Sequence, residues 1–152
     1  MMYHTFVTVP DLSDNIDHID FRVLQHLVKI RSGLLIAKLL LHLPDDMHIE
    51  VETNGTIAPT PALAKRVNQW NVSPKLAHAG NGAAAIVEHA LAAFVETGNA
   101  WFKFVVTGED DWAAIEALHL PQERIILMPC AASSEQLQAA RLAVVDLCLA
   151  QP

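Results

Sequence analysis

With 152 residues, 52% of them hydrophobic and 18% charged, the chain is long and apolar enough to bury a core and lies far from the composition of disorder. A formal charge of −7 and the lack of any basic block argue against a nucleic-acid or anionic-membrane binder, which needs clustered cations to displace counterions. The mean hydropathy of +0.27 is high for a self-sufficient domain and predicts a partner surface, in a homo-oligomer or in a chain unstable alone.

Two cysteines are present, Cys130 and Cys148, and their separation fits neither a zinc knuckle nor a CxxC pair. Free thiols in a reducing cytoplasm are the plain expectation. The eight histidines form no HxH or HExxH pattern, so His42, His48, His78 and His89 read as partly exposed polar residues and no metal site is expected. Met1 to Pro10 has neither the basic start nor the apolar stretch of a signal peptide. The longest apolar run, Leu34 to Leu43, is too short to span a bilayer. These features predict one soluble domain over residues 1–152.

In chain order, Thr5 to Val9 reads as an edge strand ended by Pro10, and an acidic, turn-rich stretch follows. Phe21, Leu24, Leu27 and Val28 share a helical stripe with Asp20 as N-cap. Ser32-Gly33 interrupts it, and Leu34 to Leu43 resumes as a helix stopped at Pro44-Asp45-Asp46. From residue 48 the alternation is regular. His48 to Val51 is a short strand, Thr60-Pro61 opens a helix running to Asn68, and Trp70 to Val72 is a strand broken by Ser73-Pro74-Lys75. After a loop with Gly80 and Gly82, Ala83 to Glu96 forms an Ala-rich helix closed by Gly98. Trp101 to Val106 is a strand, and Asp110 or Asp111 caps the next helix. Arg124 to Met128 is a strand, and Ser133 or Ser134 caps a final amphipathic helix running to about Leu149, with Glu135 and Gln136 placed for a capping box.

Repeated β-α units imply right-handed crossovers and a parallel sheet. Neither GxGxxG nor GxxxxGK[ST] occurs, so an α/β partial β/α barrel fits better than a dinucleotide-binding fold. Functional groups of barrels lie at the carboxyl ends of strands. Four tips qualify: Glu52 to Thr56, Ser73 to Lys75, Thr107 to Glu109, and Met128 to Cys130. Asn54-Gly55 alone reads as a tight turn. Glu52 is placed either to bond a helix N-terminus or to bind a ligand amine. Lys75 and Lys103 read as snorkelling or salt-bridged lysines, with imine chemistry at Lys75 as an alternative. Thr107 to Asp111 is a loop with an acidic helix start.

Taken in order, Val51-Glu52-Thr53-Asn54-Gly55-Thr56, Asn71-Val72-Ser73-Pro74-Lys75-Leu76, Phe102-Lys103-Phe104-Val105-Val106 and Ile125-Ile126-Leu127-Met128-Pro129 resemble the second half of the 7-carboxy-7-deazaguanine synthases. These are radical S-adenosylmethionine lyases of queuosine biosynthesis. The resemblance covers about residues 32 to 150 and leaves 1–31 unassigned. It implies an incomplete radical-S-adenosylmethionine-type barrel whose Ser73, Pro74 and Lys75 contact S-adenosylmethionine, with Glu52, Asn54, Met128 and Pro129 on the cofactor's flanks. Ser32 and Thr53 would face a small-molecule pterin, 6-carboxy-5,6,7,8-tetrahydropterin. That substrate is converted to 7-carboxy-7-deazaguanine through a 5′-deoxyadenosyl radical, with magnesium assisting.

Two features depart from the family's pattern. The family binds its 4Fe-4S cluster through a CxxxCxxC loop, and no cysteine precedes Cys130. Ser32-Gly33-Leu34-Leu35 stands where Ser-Gly-Gly-Glu-Pro-Leu-Leu is expected. Without cluster ligands the sulfonium has no electron source. The expectation is a truncated or degenerate member, inactive alone, with a non-catalytic half-barrel binding or assembly module as the alternative.

Overall fold

The computed structural model describes residues 6–8, 40, 42–80 and 86–150. Strands β1 (Phe6–Thr8), β2 (Glu50–Thr53), β3 (Gln69–Val72), β4 (Ala100–Val106) and β5 (Ile125–Pro129) form one sheet in sequence order. β2 to β5 run parallel, and β1 lies antiparallel on the outer side of β2. Helices α1 (Pro61–Arg66), α2 (Glu88–Glu96), α3 (Asp110–Glu116) and α4 (Ser134–Leu149) follow β2, β3, β4 and β5 in turn. Because the order of the described strands never reverses, they show no switch point of the doubly wound kind, and the described helices share one face of the sheet. The arrangement is that of a partial β/α barrel with an open sheet.

Period-two patterning dictates which side chains the helices cover. In β4, Ala100, Phe102, Phe104 and Val106 are buried while Trp101, Lys103 and Val105 are half-buried. Register places Val51, Trp70 and Val72 on the same side as those phenylalanines. Leu63, Leu91, Phe94, Ile115 and Leu147 of the helices close over them, and the Trp70 and Phe94 rings meet edge-on at 5.1 Å. Burying one such aromatic side chain contributes roughly 1.5–3 kcal/mol.

The predicted edge strand is β1, and the four β-α units are those expected, with shifts at their ends. Glu52 and Thr53 belong to β2 itself rather than to the loop after it. Helix α1 is capped by the Thr60 hydroxyl, which accepts from the Leu63 N–H, with Pro61 at its first position. Helix α2 begins at Glu88, not at Ala83; residues 81–85 lie outside the described set. Ile86 and Val87 are not helical, because β-branched residues favour extended backbone, and the Val87 carbonyl instead accepts the first helical N–H groups from Ala90 and Leu91.

Neither predicted acidic cap of α3 operates as one, since Asp111 sits in the first turn and reaches back to Thr107. At α4 the capping prediction holds in altered form. Ser133 accepts from the Gln136 N–H, and Gln136 accepts from Ala132 rather than from the cap residue. The helices expected between Asp20 and Leu43 fall almost entirely outside the described residues. Leu40 is helical and buried, and a turn at Pro44–Met47 follows.

The amino ends of the strands are stitched by amides. Asn68 accepts from the Ile49 N–H, and the Asn99 amide donates to the Val67 and Asn68 carbonyls. Side-chain amide bonds to backbone fix that end of the sheet, which leaves the face away from the described helices and the carboxyl tips for chemistry.

Candidate functional site

The face of the sheet away from the helices carries Glu50, Glu52, Gln69, Asn71, Trp101, Lys103, Val105, Ile126 and Met128 by register. In a hydrophobic chain this face is polar at its centre. Asn71, only 3% exposed, donates to Glu50 Oε2 at 3.2 Å and accepts from Gln69 Nε2 at 3.1 Å. His48 approaches the other Glu50 oxygen at 3.3 Å. A buried amide left unpaired costs about 1–3 kcal/mol, and this network satisfies it. Next along the face, Lys103 Nζ lies 3.0 Å from Glu52 Oε1. The pair spans β2 to β4, two strand spacings or about 9.5 Å of sheet, and crosses over β3 above the Asn71 row.

The carboxyl tips stand beside this face. Asn54 Oδ1 accepts from the Thr56 N–H at 3.2 Å and the Thr56 hydroxyl at 2.9 Å, which makes a side-chain-closed turn. Gly55 has φ +73°, and a Cβ there would lie 2.6 Å from Val72 Cγ1 and 2.9 Å from Leu91 Cδ2. Only glycine fits that contact, which presses the β2 tip onto β3 and α2. The Ser73 N–H bonds the Thr53 carbonyl at 2.7 Å, and Lys75 Nζ donates to Ser73 Oγ at 3.2 Å. At the β4 tip, Asp111 accepts from the Thr107 N–H at 2.6 Å and hydroxyl at 2.8 Å, and its other oxygen meets His78 Nδ1 at 3.2 Å. Burial is the largest single influence on the Asp111 carboxyl and raises its pKa. The bonds from Thr107 and His78 together outweigh it and hold the group below the usual carboxylate range.

The sheet brings most of the sequence-predicted residues together. Glu52 and Met128 lie on the polar face, and Asn54, Ser73, Pro74 and Lys75 lie at adjacent tips. Thr53 and Pro129 fall by register on the helix side, and the Thr53 hydroxyl accepts from the Gly55 N–H. Ser32 lies outside the described residues. The amine that Glu52 binds is the protein's own Lys103. Sequence reasoning missed the Glu50–Gln69–Asn71 network and the Thr107–Asp111–His78 chain. The alternation of His48, Glu50 and Glu52 with Ile49 and Val51 was the available signal for the first. His78 and Asp111 are distant in sequence, and nothing local links them.

Three thiolates are needed for a cluster of the radical type, and this chain has two cysteines, both exposed. Among the described residues no group of three His, Cys, Asp or Glu side chains could hold a metal ion. The thiols of this chain therefore do not fit a 4Fe-4S cluster of the radical type. No described helix is long and apolar enough to cross a membrane.

No family model matches the chain, and no solved structure matches it. Among curated proteins it is 41% identical over 93 residues to a 7-carboxy-7-deazaguanine synthase of Pyrobaculum aerophilum; the match covers 58% of this chain and 39% of the relative. The chain thus spans about two fifths of the length of the curated relative it matches. A partial resemblance to 7-carboxy-7-deazaguanine synthase, carried on a partial β/α barrel, is what sequence and fold jointly establish.

Proposed function

We propose that this chain forms the ligand-binding wall of a 7-carboxy-7-deazaguanine-synthase-like barrel, holding S-adenosylmethionine and a reduced pterin against the polar face and carboxyl tips of β2 to β5. The observation that carries the reading is the 41% identity over 93 residues to a synthase of that name. The polar lining of the face away from the described helices supports it.

The available groups suit a zwitterionic ligand. Lys75 and Ser73 offer cationic and hydroxyl donors to a carboxylate or ribose at one tip. Glu52 and Lys103 form a pair with side chains 30% and 25% exposed, so water and ligand reach both partners. A ligand ammonium can compete for Glu52, and a pterin carboxylate can compete for Lys103. Glu50 and Asn71, already mutually bonded, keep that part of the wall rigid and supply acceptor oxygens at its base. In a synthase of this type S-adenosylmethionine supplies the radical chemistry once reduced. The two cysteines of this chain do not furnish the reducing cluster, so the role proposed for these residues is binding and orientation.

Calorimetric titration of S-adenosylmethionine into the folded chain tests this. We expect saturable one-to-one binding, weakened about tenfold by Lys75→Ala, the size of one charge-assisted hydrogen bond. No heat at millimolar ligand would overturn the assignment.

A further inference from the structure

The β3 and β4 tips are joined by a run of side chains that takes no part in the proposed ligand contacts. Around Lys75 the β3 tip is anchored by burial, at Pro74 and at Leu76. It then enters an exposed turn, Ala77 to Ala79, ended by Gly80 at φ +72°. The backbone bonds of that turn are local, from the Ala79 N–H to the Leu76 carbonyl and from the Gly80 N–H to the Ala77 carbonyl. Among the described residues its one hydrogen bond to another element joins His78 Nδ1 to Asp111 Oδ1 at 3.2 Å. Both side chains are largely withdrawn from water, 26% and 16% exposed, although the turn itself is open.

Asp111 sets the direction of that bond. Its other oxygen accepts from the Thr107 N–H at 2.6 Å and the Thr107 hydroxyl at 2.8 Å, which favours the ionised carboxyl. A carboxylate can only accept, so His78 donates from Nδ1–H. A neutral imidazole in water carries its proton mainly on Nε2, and the contact selects the other tautomer. We propose that His78 is the positioning residue of the β3 tip: its bond to Asp111 clasps the turn after Lys75 to the β4 tip and fixes the mouth between the two strands. A ligand entering there meets a tip already ordered and does not bear the cost of ordering it. That consequence rests on the S-adenosylmethionine reading above; the clasp itself does not.

Proton–nitrogen spectra of the full chain at pH 8 read the tautomer. His78 should be the Nδ1–H form in the wild type and the Nε2–H form in Asp111→Ala; a wild-type ring in the Nε2–H form overturns the proposal, whether or not that variant folds. In the ligand-free chain, His78→Leu should lower the backbone order parameters of Ala77 to Gly80 from about 0.85 to below about 0.6. It should also weaken S-adenosylmethionine in calorimetry about tenfold, the size of one bond to a charged group. His78→Asn, whose amide nitrogen takes the place of Nδ1, should restore both. Order parameters indifferent to His78→Leu, or no recovery in His78→Asn, overturn the proposal, as does equal affinity with and without His78. A wild-type chain that binds no S-adenosylmethionine overturns the ligand reading instead, and the ligand-free order parameters then decide the clasp.

Discussion

Replacing Gly55 by alanine isolates the contact that fixes the β2 tip. The residue sits at φ +73°, where an L side chain costs roughly 1–2 kcal/mol. Its added Cβ would also lie 2.6 Å from Val72 Cγ1 and 2.9 Å from Leu91 Cδ2. Both neighbours are fully buried core residues, so neither can swing aside, and overpacking of this kind costs about 1–3 kcal/mol. Gly55→Ala should therefore lose about 2–5 kcal/mol in urea unfolding. Gly98 is the internal control, with φ +74° and no atom within 4 Å of its Cβ position. Gly98→Ala should lose only the backbone share, about 1–2 kcal/mol. Equal losses at the two positions would refute the claim that the tip is held by close packing against β3 and α2.

Two further perturbations probe the polar face and its rim. Asn71→Leu keeps the branched heavy-atom shape but strips the buried amide from Glu50 and Gln69; it should cost about 1–3 kcal/mol in chemical denaturation, and a stabilised variant would show that the network contributes nothing. Because the Asp111 carboxyl is held below its ordinary value of 3.8, its contribution to stability is fully present above the unfolded value, about pH 4, and fades as pH falls through the folded value. Asp111→Asn should flatten the loss of stability between neutral pH and pH 3 in thermal melts; an unchanged acid limb would count against the Thr107 and His78 bonds as the cause.

The barrel order was legible because each strand and helix from residue 48 carries its own local signal. Pro61 after Thr60, the alternation in Trp101 to Val106 and the cap at Ser133 are all decided within a few residues of chain. Element ends were less so. Val87 is pulled out of the helix by its branched side chain, against an Ala-rich context that favours helix. At the site, the strand tips could be read one by one, but their partners could not. Lys103 meets Glu52 across 51 positions only because β2, β3 and β4 align in one register. Asp111 looked like a cap and is instead the acceptor for Thr107 and His78, a choice made by tertiary contact.

The most direct measurement of the proposed role is a map of backbone amide shifts as S-adenosylmethionine is added to the isotopically labelled chain. The proposal predicts saturable shifts concentrated in Glu52 to Thr56, Ser73 to Lys75 and Met128 to Cys130, together with the Lys103 row of β4, while the amino ends at Asn68 and Asn99 stay still. Shifts confined to the helix-covered side, or none at millimolar ligand in a folded sample, would contradict it.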